Sequence, residues 1–148
     1  MRDGRRGICV VLSSDVKFLG PMRTMVRESC GLLGFEAAAC EEIVLAVQEG
    51  CANVIRHCYG NSTDRRIDLW ILFHDHELEV QIRDYGTFVD PKTIKSRPLE
   101  DVRPGGLGVH LMKKVMDEVK FEQNEAGGTT LTLRKRVAAT DENETGGS

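Results

Sequence analysis

Two runs of alternating polar and apolar residues near the middle of the chain most constrain its fold. They are RIDLWILF (residues 66–73) and ELEVQIRD (residues 77–84), and only HDH separates them. A period of two places every second side chain on one face of a β-strand, and so short a connection joins antiparallel neighbours. The sequence therefore predicts an antiparallel hairpin, and with it a sheet.

The other elements follow from the same kind of pattern. GICVVLS (residues 7–13) predicts a first strand, and apolar residues at helical spacing predict helices over residues 18–33, 36–59 and about 107–117. Two further strands flank the turn NEAGG, which gives the order β, α, α, β, β, loop, α, β, β. We expect an α/β (α+β) fold: a two-layer sandwich in which helices cover one face of a mixed, mostly antiparallel sheet.

Length and charge restrict the class of protein. A chain of 148 residues, 41% of them hydrophobic, suffices for one domain with a single core, which we place at residues 1–137. The net charge of −3 gives no basic field for nucleic acid or an anionic membrane surface. Residues 138–148 are small, polar and acidic, and we expect a disordered tail there.

The cysteines and the N-terminus indicate a cytoplasmic protein. The five cysteines are an odd set without a C-x-x-C pair, and most lie among apolar residues, as reduced thiols in a core do. The N-terminal apolar run is too short for a signal sequence or a membrane span. We therefore expect neither a membrane anchor nor direct binding of nucleic acid.

The helix predicted over residues 36–59 has a polar edge opposite its apolar face. Glu49 and Asn53 lie one turn apart on that edge. The apolar face consists of Ile43, Val47, Cys51, Val54 and Cys58. The polar edge is either simply solvated, or part of a site in which Glu49 is a general base and Asn53 an oxygen ligand of Mg²⁺. Helical spacing alone leaves both readings open.

Four other stretches contain residue types that bind ligands in proteins. Asp84, in DYGTF at the end of a predicted strand, is either a turn former or a buried acceptor for a ligand's amino group. The glycines of GGLG (residues 105–108) begin a helix, where backbone N–H groups favour a phosphate, although an ordinary loop-to-helix turn explains them equally well. Residues 85–105 form a long irregular segment typical of lids and binding loops. HDHE (residues 74–77) is expected to be a polar turn rather than a metal site.

The order of these motifs resembles that of a known family. EGCAN, then RDYG, then a long loop ending in GGLG, and finally GGTTLTL resemble the Bergerat ATP-binding fold (GHKL superfamily) of histidine kinases, gyrase and Hsp90. The sequence is particularly similar to the anti-sigma factor serine/threonine-protein kinases of bacteria. The resemblance extends from the first strand to about Val137.

This resemblance implies roles for individual residues. Glu49 is expected to accept the proton of a substrate serine, Asn53 to ligate Mg²⁺, and Asp84 to accept a hydrogen bond from the adenine amino group. Further contacts with ATP are expected from Gly86, Gly105, Gly106, Leu107, Gly108 and Thr130. The implied reaction is phosphoryl transfer from Mg-ATP, governed by positioning and electrostatics.

The same resemblance implies partners. They are an anti-anti-sigma protein of the STAS type, which would be phosphorylated, a sigma factor, which would be sequestered, and a second copy of the chain in a homodimer. The expected location is the cytoplasm.

The sequence also departs from the family's pattern. Phe88 stands where the first glycine box often has a second glycine, and it lacks the conformational freedom of glycine. Pro104 stands where some members have an arginine, which leaves Arg103 as the nearest candidate for a cation near the γ-phosphate. Two hypotheses follow: a kinase, which Glu49 and Asn53 favour, and a non-catalytic ATP-responsive switch that binds a partner, which Phe88 favours.

Overall fold

The computed structural model of the chain describes residues 4–87 and 104–138, without the side chains of residues 104–107. In chain order its elements are β1 (Gly7–Ser13), α1 (Leu19–Leu33), α2 (Ala37–Asn53), β2 (Arg66–His74), β3 (Glu77–Asp84), α3 (Pro104–Val115), β4 (Glu118–Gln123) and β5 (Thr129–Arg136). The predicted order of helices and strands is confirmed. The expectations for Phe88, for Arg103, for most of the irregular segment 85–105 and for the tail from residue 139 onward lie outside the described residues. The domain boundary at residue 137 stays a prediction.

The strands form a five-stranded sheet in the order β1-β2-β3-β5-β4. The hairpin of β2 and β3 is confirmed, since Ile67 pairs with Asp84 and His74 with Glu77. The sheet was expected to be mixed, but every pair among the described strands is antiparallel. The reason is that β5 lies between β3 and β4, so the two strands joined through α3 are not neighbours.

The helices cover one face of the sheet, and α2 lies between α1 and α3. Ile43, Val47 and Cys51 of α2 are fully buried, which confirms the predicted apolar face. Gly50 is buried as well, and a Cβ there would lie 2.6 Å from Cδ1 of Ile82 on β3. The absent side chain therefore lets α2 pack closely on the sheet at the residue that follows Glu49.

Two helix ends differ from the predictions. The third helix begins at Pro104 rather than near residue 107, because proline in a first turn removes only an N–H group that has no partner within the helix. Helix α2 is α-helical only to Asn53 and continues as a π-helical turn over Val54–Cys58. In this turn the N–H of Tyr59 donates to the carbonyl of Val54 at 3.0 Å. This wider turn changes the direction of the side chains that follow.

The cysteines behave largely as predicted. Cys30, Cys40 and Cys51 are buried and free, and burial raises the pKa of Cys51 to about 12. A thiol with so high a pKa is uncharged at neutral pH, and buried cysteines act as small apolar side chains. Cys9 on the edge strand is exposed, and Cys58 is half-buried. Within the described residues, no helix has the length and apolar character needed to cross a membrane.

Candidate functional site

The polar edge of α2 forms one end of the site. The side chain of Glu49 is 23% exposed, and that of Asn53 is half-buried. Arg56, in the π-helical turn, places its Nη2 3.3 Å from Oδ1 of Asn53 and 3.8 Å from Oε2 of Glu49. The predicted base and the predicted metal ligand therefore contact the same cationic group on a partly open surface.

Gly108 of α3 lies directly against Glu49. A Cβ at this position would be 2.6 Å from Oε2 and 3.2 Å from Cβ of Glu49. A larger residue would have to displace the Glu49 side chain, so the glycine allows α3 to meet the polar edge of α2. Gly105, Gly106 and Leu107 lie in the first turn of α3, just before Gly108. In such a turn the backbone N–H groups have no partners within the helix and are available to an anion.

Asp84, at the end of β3, forms the other end of the site. Its side chain is 1% exposed, and its Oδ1 accepts hydrogen bonds from the backbone N–H groups of Gly86 at 3.0 Å and Thr129 at 3.1 Å. Burial raises the pKa of Asp84, although these two bonds and one with the Cys58 thiol oppose the rise. Since a carboxylate accepts about four hydrogen bonds, Asp84 can accept one more from a ligand.

The π-helical turn brings the end of α2 to Asp84 and the glycine that follows it. A Cβ at Gly86 would lie 3.1 Å from the carbonyl oxygen of Cys58 and 3.4 Å from Cε1 of Tyr59. The hydroxyl of Tyr59 accepts from the N–H of Tyr85 at 2.8 Å and donates to a β2 carbonyl at 2.5 Å. A single helical segment thus contacts both ends of the site, and π-helical turns are frequent at functional sites.

Tyr85, which follows β3, is also held by contacts on the outer face of the sheet, the face away from the helices. The hydroxyl of Tyr85 donates to Oδ2 of Asp68 at 2.5 Å, and this hydrogen bond is the main reason that the pKa of Tyr85 is raised. The guanidinium groups of Arg66 and Arg83 lie 5.2 Å and 5.6 Å from the centre of the Tyr85 ring. Asp84 is therefore followed by a residue whose backbone and side chain are both fixed.

The threonine beside Asp84 is Thr129, whereas Thr130 was the threonine expected near the adenine. Thr130 pairs with Arg83 in the ladder, which places its side chain on the outer face of the sheet, away from the helices. Thr129 is 7% exposed and donates its N–H to Asp84. Because side chains alternate along a strand, an error of one residue exchanges the two faces.

Two residues of the β4–β5 turn complete this end, and the sequence reasoning missed both. A Cβ at Gly128 would lie 2.3 Å from the backbone oxygen of Asp84 and 2.6 Å from its Oδ1. Asn124 donates from Nδ2 to that backbone oxygen at 2.9 Å and accepts the N–H of Gly128 at 3.1 Å. The signal was the turn NEAGG itself, where asparagine and glycine are the residues that tight turns require.

The residues of the polar edge fit a magnesium ion that is shared with phosphates. The amide oxygen of Asn53 is a hard ligand, and it already accepts from the guanidinium group of Arg56. Across residues 4–87 and 104–138, no group of three or more His, Cys, Asp or Glu side chains could hold a metal by itself. Mg²⁺ would therefore need phosphate oxygens and water as its other ligands, as is usual for this ion.

The HDHE stretch is a polar turn, as predicted. Asp75 and His76 connect β2 to β3, and His76 has a left-handed φ of 58°. The Nε2 of His74 lies 2.9 Å from Oε1 of Glu79, so this histidine belongs to a pair on the sheet surface.

Known proteins resemble this chain in sequence and in fold. Residues 12–135 match the histidine kinase-like ATPase domain family. The serine-protein kinase RsbW of Halalkalibacterium halodurans is 31% identical over 129 residues, which cover 80% of this chain and 76% of that protein. RsbW of Oceanobacillus iheyensis is 26% identical over 130 residues, which cover 82% of this chain and 81% of that protein.

A solved structure shares the fold. The RsbU and RsbW domains of a Mycobacterium tuberculosis protein match with a TM-score of 0.64 at 21% identity, covering 88% of this chain and 32% of that one. The family match covers residues 12–135, which is most of the chain. The chain therefore belongs to the histidine kinase-like ATPase domain family, in the group of the anti-sigma factor serine-protein kinases.

Proposed function

We propose that this protein binds Mg-ATP between α2, α3 and the end of β3, and transfers the γ-phosphate to a serine or threonine of a STAS-type anti-anti-sigma protein. It would also sequester a sigma factor, act in the cytoplasm and form a homodimer. The observation that most supports ATP binding is that α2 places Glu49 against Gly108 at one end, with Asn53 one turn further on, while its continuation reaches Asp84 at the other. The protein kinases named RsbW, with 31% and 26% identity, support the reaction.

The Asp84 end suits adenine. A buried carboxylate with capacity for one more hydrogen bond is an acceptor for the exocyclic amino group of the base. Gly86 and Gly128 allow the backbone to pack closely around it, because a side chain at either position would meet Cys58 or Asp84. Guanine has a carbonyl oxygen in place of that amino group, and an ionised Asp84 would repel it. The site is therefore expected to prefer ATP to GTP.

The Glu49 end suits phosphoryl transfer to a hydroxyl group. With 23% of its side chain exposed, Glu49 can reach the hydroxyl of a bound protein and accept its proton as the phosphorus–oxygen bond forms. Asn53 would hold Mg²⁺, which would neutralise part of the phosphate charge when bound. The first turn of α3 presents its backbone N–H groups to the phosphates.

Phosphate transfer to a STAS protein tests this function. The native chain and Glu49→Ala are each incubated with Mg-ATP and a STAS protein that has an acceptor serine, and the mass of the STAS protein is measured. We expect one added phosphate with the native chain and a loss of at least about a hundredfold in rate with Glu49→Ala. ATP binding without transfer would favour the non-catalytic switch, to which Phe88 points, and no ATP binding at all would refute both functions.

A further inference from the structure

Arg56 carries a cationic group at the Glu49 end of the site, and the proposed mechanism does not use it. Its Nη2 is 3.3 Å from Oδ1 of Asn53, the atom expected to ligate Mg²⁺. The same nitrogen is 3.8 Å from Oε2 of Glu49. The guanidinium group therefore lies against both functional oxygens.

The contact between Arg56 and Asn53 disfavours the binding of a divalent cation to the same oxygen. The amide oxygen of Asn53 has two lone pairs, and when one accepts the N–H group of Arg56, the positive charge of the guanidinium group repels a metal ion at the other. The side chain of Arg56 is 36% exposed, so it can leave Asn53 without unfolding its surroundings. Glu49 remains as an anionic partner for the displaced guanidinium group.

We infer that Arg56 competes with Mg²⁺ for Asn53, so that the guanidinium group is a displaceable cation that sets the Mg²⁺ concentration needed for nucleotide binding. This inference rests on the proposed binding of Mg-ATP. Arg56 donates to the ligand oxygen of Asn53 and would yield it when Mg-ATP binds. Its part is regulatory, and it adds no contact that the bound nucleotide requires.

The test measures nucleotide binding instead of catalysis. A non-hydrolysable ATP analogue is titrated calorimetrically at a series of buffered free Mg²⁺ concentrations into the native chain, Arg56→Gln and Arg56→Lys. A unit charge about 5 Å from a divalent ion in water changes affinity by about tenfold before screening by salt. The Mg²⁺ midpoint is the free Mg²⁺ concentration at which nucleotide binding is half-maximal. Arg56→Gln is therefore expected to lower this midpoint by about three- to tenfold. Arg56→Lys keeps the charge, so its midpoint should remain close to the native value.

Arg27→Gln is the matched control. It removes the same charge from an exposed pair in which Nε of Arg27 lies 2.5 Å from Oε2 of Glu41, on α1 and α2 away from the site. Its midpoint in Mg²⁺ should equal that of the native chain. Circular dichroism of each variant checks that the fold is intact, since Arg56 is exposed enough to be replaced without loss of core packing.

The outcomes separate the inference from the proposed function. If the native chain binds the nucleotide and Arg56→Gln leaves the midpoint unchanged, the inference is wrong while ATP binding stands. If Arg56→Gln instead weakens binding at saturating Mg²⁺, Arg56 contacts the phosphates and does not compete with the metal, which also overturns the inference. If the native chain does not bind the nucleotide at any Mg²⁺ concentration, both the inference and the proposed function fail.

Discussion

Replacing Gly128 with alanine tests the geometry around Asp84. The new Cβ would lie 2.3 Å from the backbone oxygen of Asp84 and 2.6 Å from its Oδ1. The side-chain oxygen can rotate away, but the backbone oxygen can move only if β3 or β5 moves. The variant therefore forces these strands apart at the point where the N–H of Thr129 donates to Asp84.

The expected cost follows from this overlap. Forcing extra atoms into a packed region typically destabilises a protein by about 1–3 kcal/mol. For a chain of this size, each kcal/mol lowers the melting temperature by about 2–4 °C, so a decrease of about 2–12 °C is expected. The affinity for ATP should fall with it, because the displaced carboxylate no longer faces the adenine amino group.

Gly31→Ala is the control, and it should raise the melting temperature instead of lowering it. Gly31 is exposed in α1, and a Cβ there would meet no atom within 4 Å. Alanine in a helix is favoured over glycine by about 0.5–1 kcal/mol, so this variant should melt slightly higher and bind ATP as the native chain does. If Gly128→Ala melted at or above the native temperature and bound ATP normally, the described contact with Asp84 would be wrong.

Three other substitutions probe separate contacts. Gly108→Ala should reduce phosphate transfer more than ATP affinity, because its Cβ would displace the Glu49 carboxylate. Equal losses in the transfer rate, measured kinetically, and in the ATP affinity, measured by calorimetry, would contradict this. Tyr59→Phe should lower the free energy of unfolding by about 1–3 kcal/mol in denaturant titrations, since the N–H of Tyr85 loses its acceptor. Asp84→Asn should lose preference for ATP over GTP. Burial raises the pKa of Asp84 above its ordinary value of 3.8, so the folded state favours the protonated carboxyl. The native chain therefore loses stability as the pH rises from 3.8 through the raised pKa, because the buried carboxyl then ionises. The melting temperature of Asp84→Asn relative to the native chain should therefore rise between pH 3.8 and neutrality, and a pH-independent difference would refute the assignment.

Periodicity was sufficient to predict the central elements. The alternation of residues 66–73 and 77–84 requires a hairpin whose faces differ in polarity, and the observed pairs agree with it. Gly34 ends α1 with a φ of 90°, which only glycine adopts easily. Leu32 shows the limit of such patterns, because it fits the apolar spacing of α1 and is nevertheless 78% exposed.

The parts of the site that were missed depend on tertiary structure. Thr129 and Thr130 are adjacent and identical, so only the pairing of β5 with β3 decides which one faces Asp84. The direction of Cys58 depends on the π-helical turn, which the spacing of apolar residues does not reveal. The contact of Arg56 with Asn53 likewise depends on the path of this turn, which the sequence pattern does not give.

The most direct test of the central claim compares binding and transfer in Glu49→Gln. Glutamine keeps the size of the side chain beside Gly108 and removes its ability to accept a proton. We predict that calorimetry will give Mg-ATP affinity equal to or higher than that of the native chain, while the rate of phosphate transfer to a STAS protein falls by at least about a hundredfold. Transfer at close to the native rate would contradict the role of Glu49 as the base.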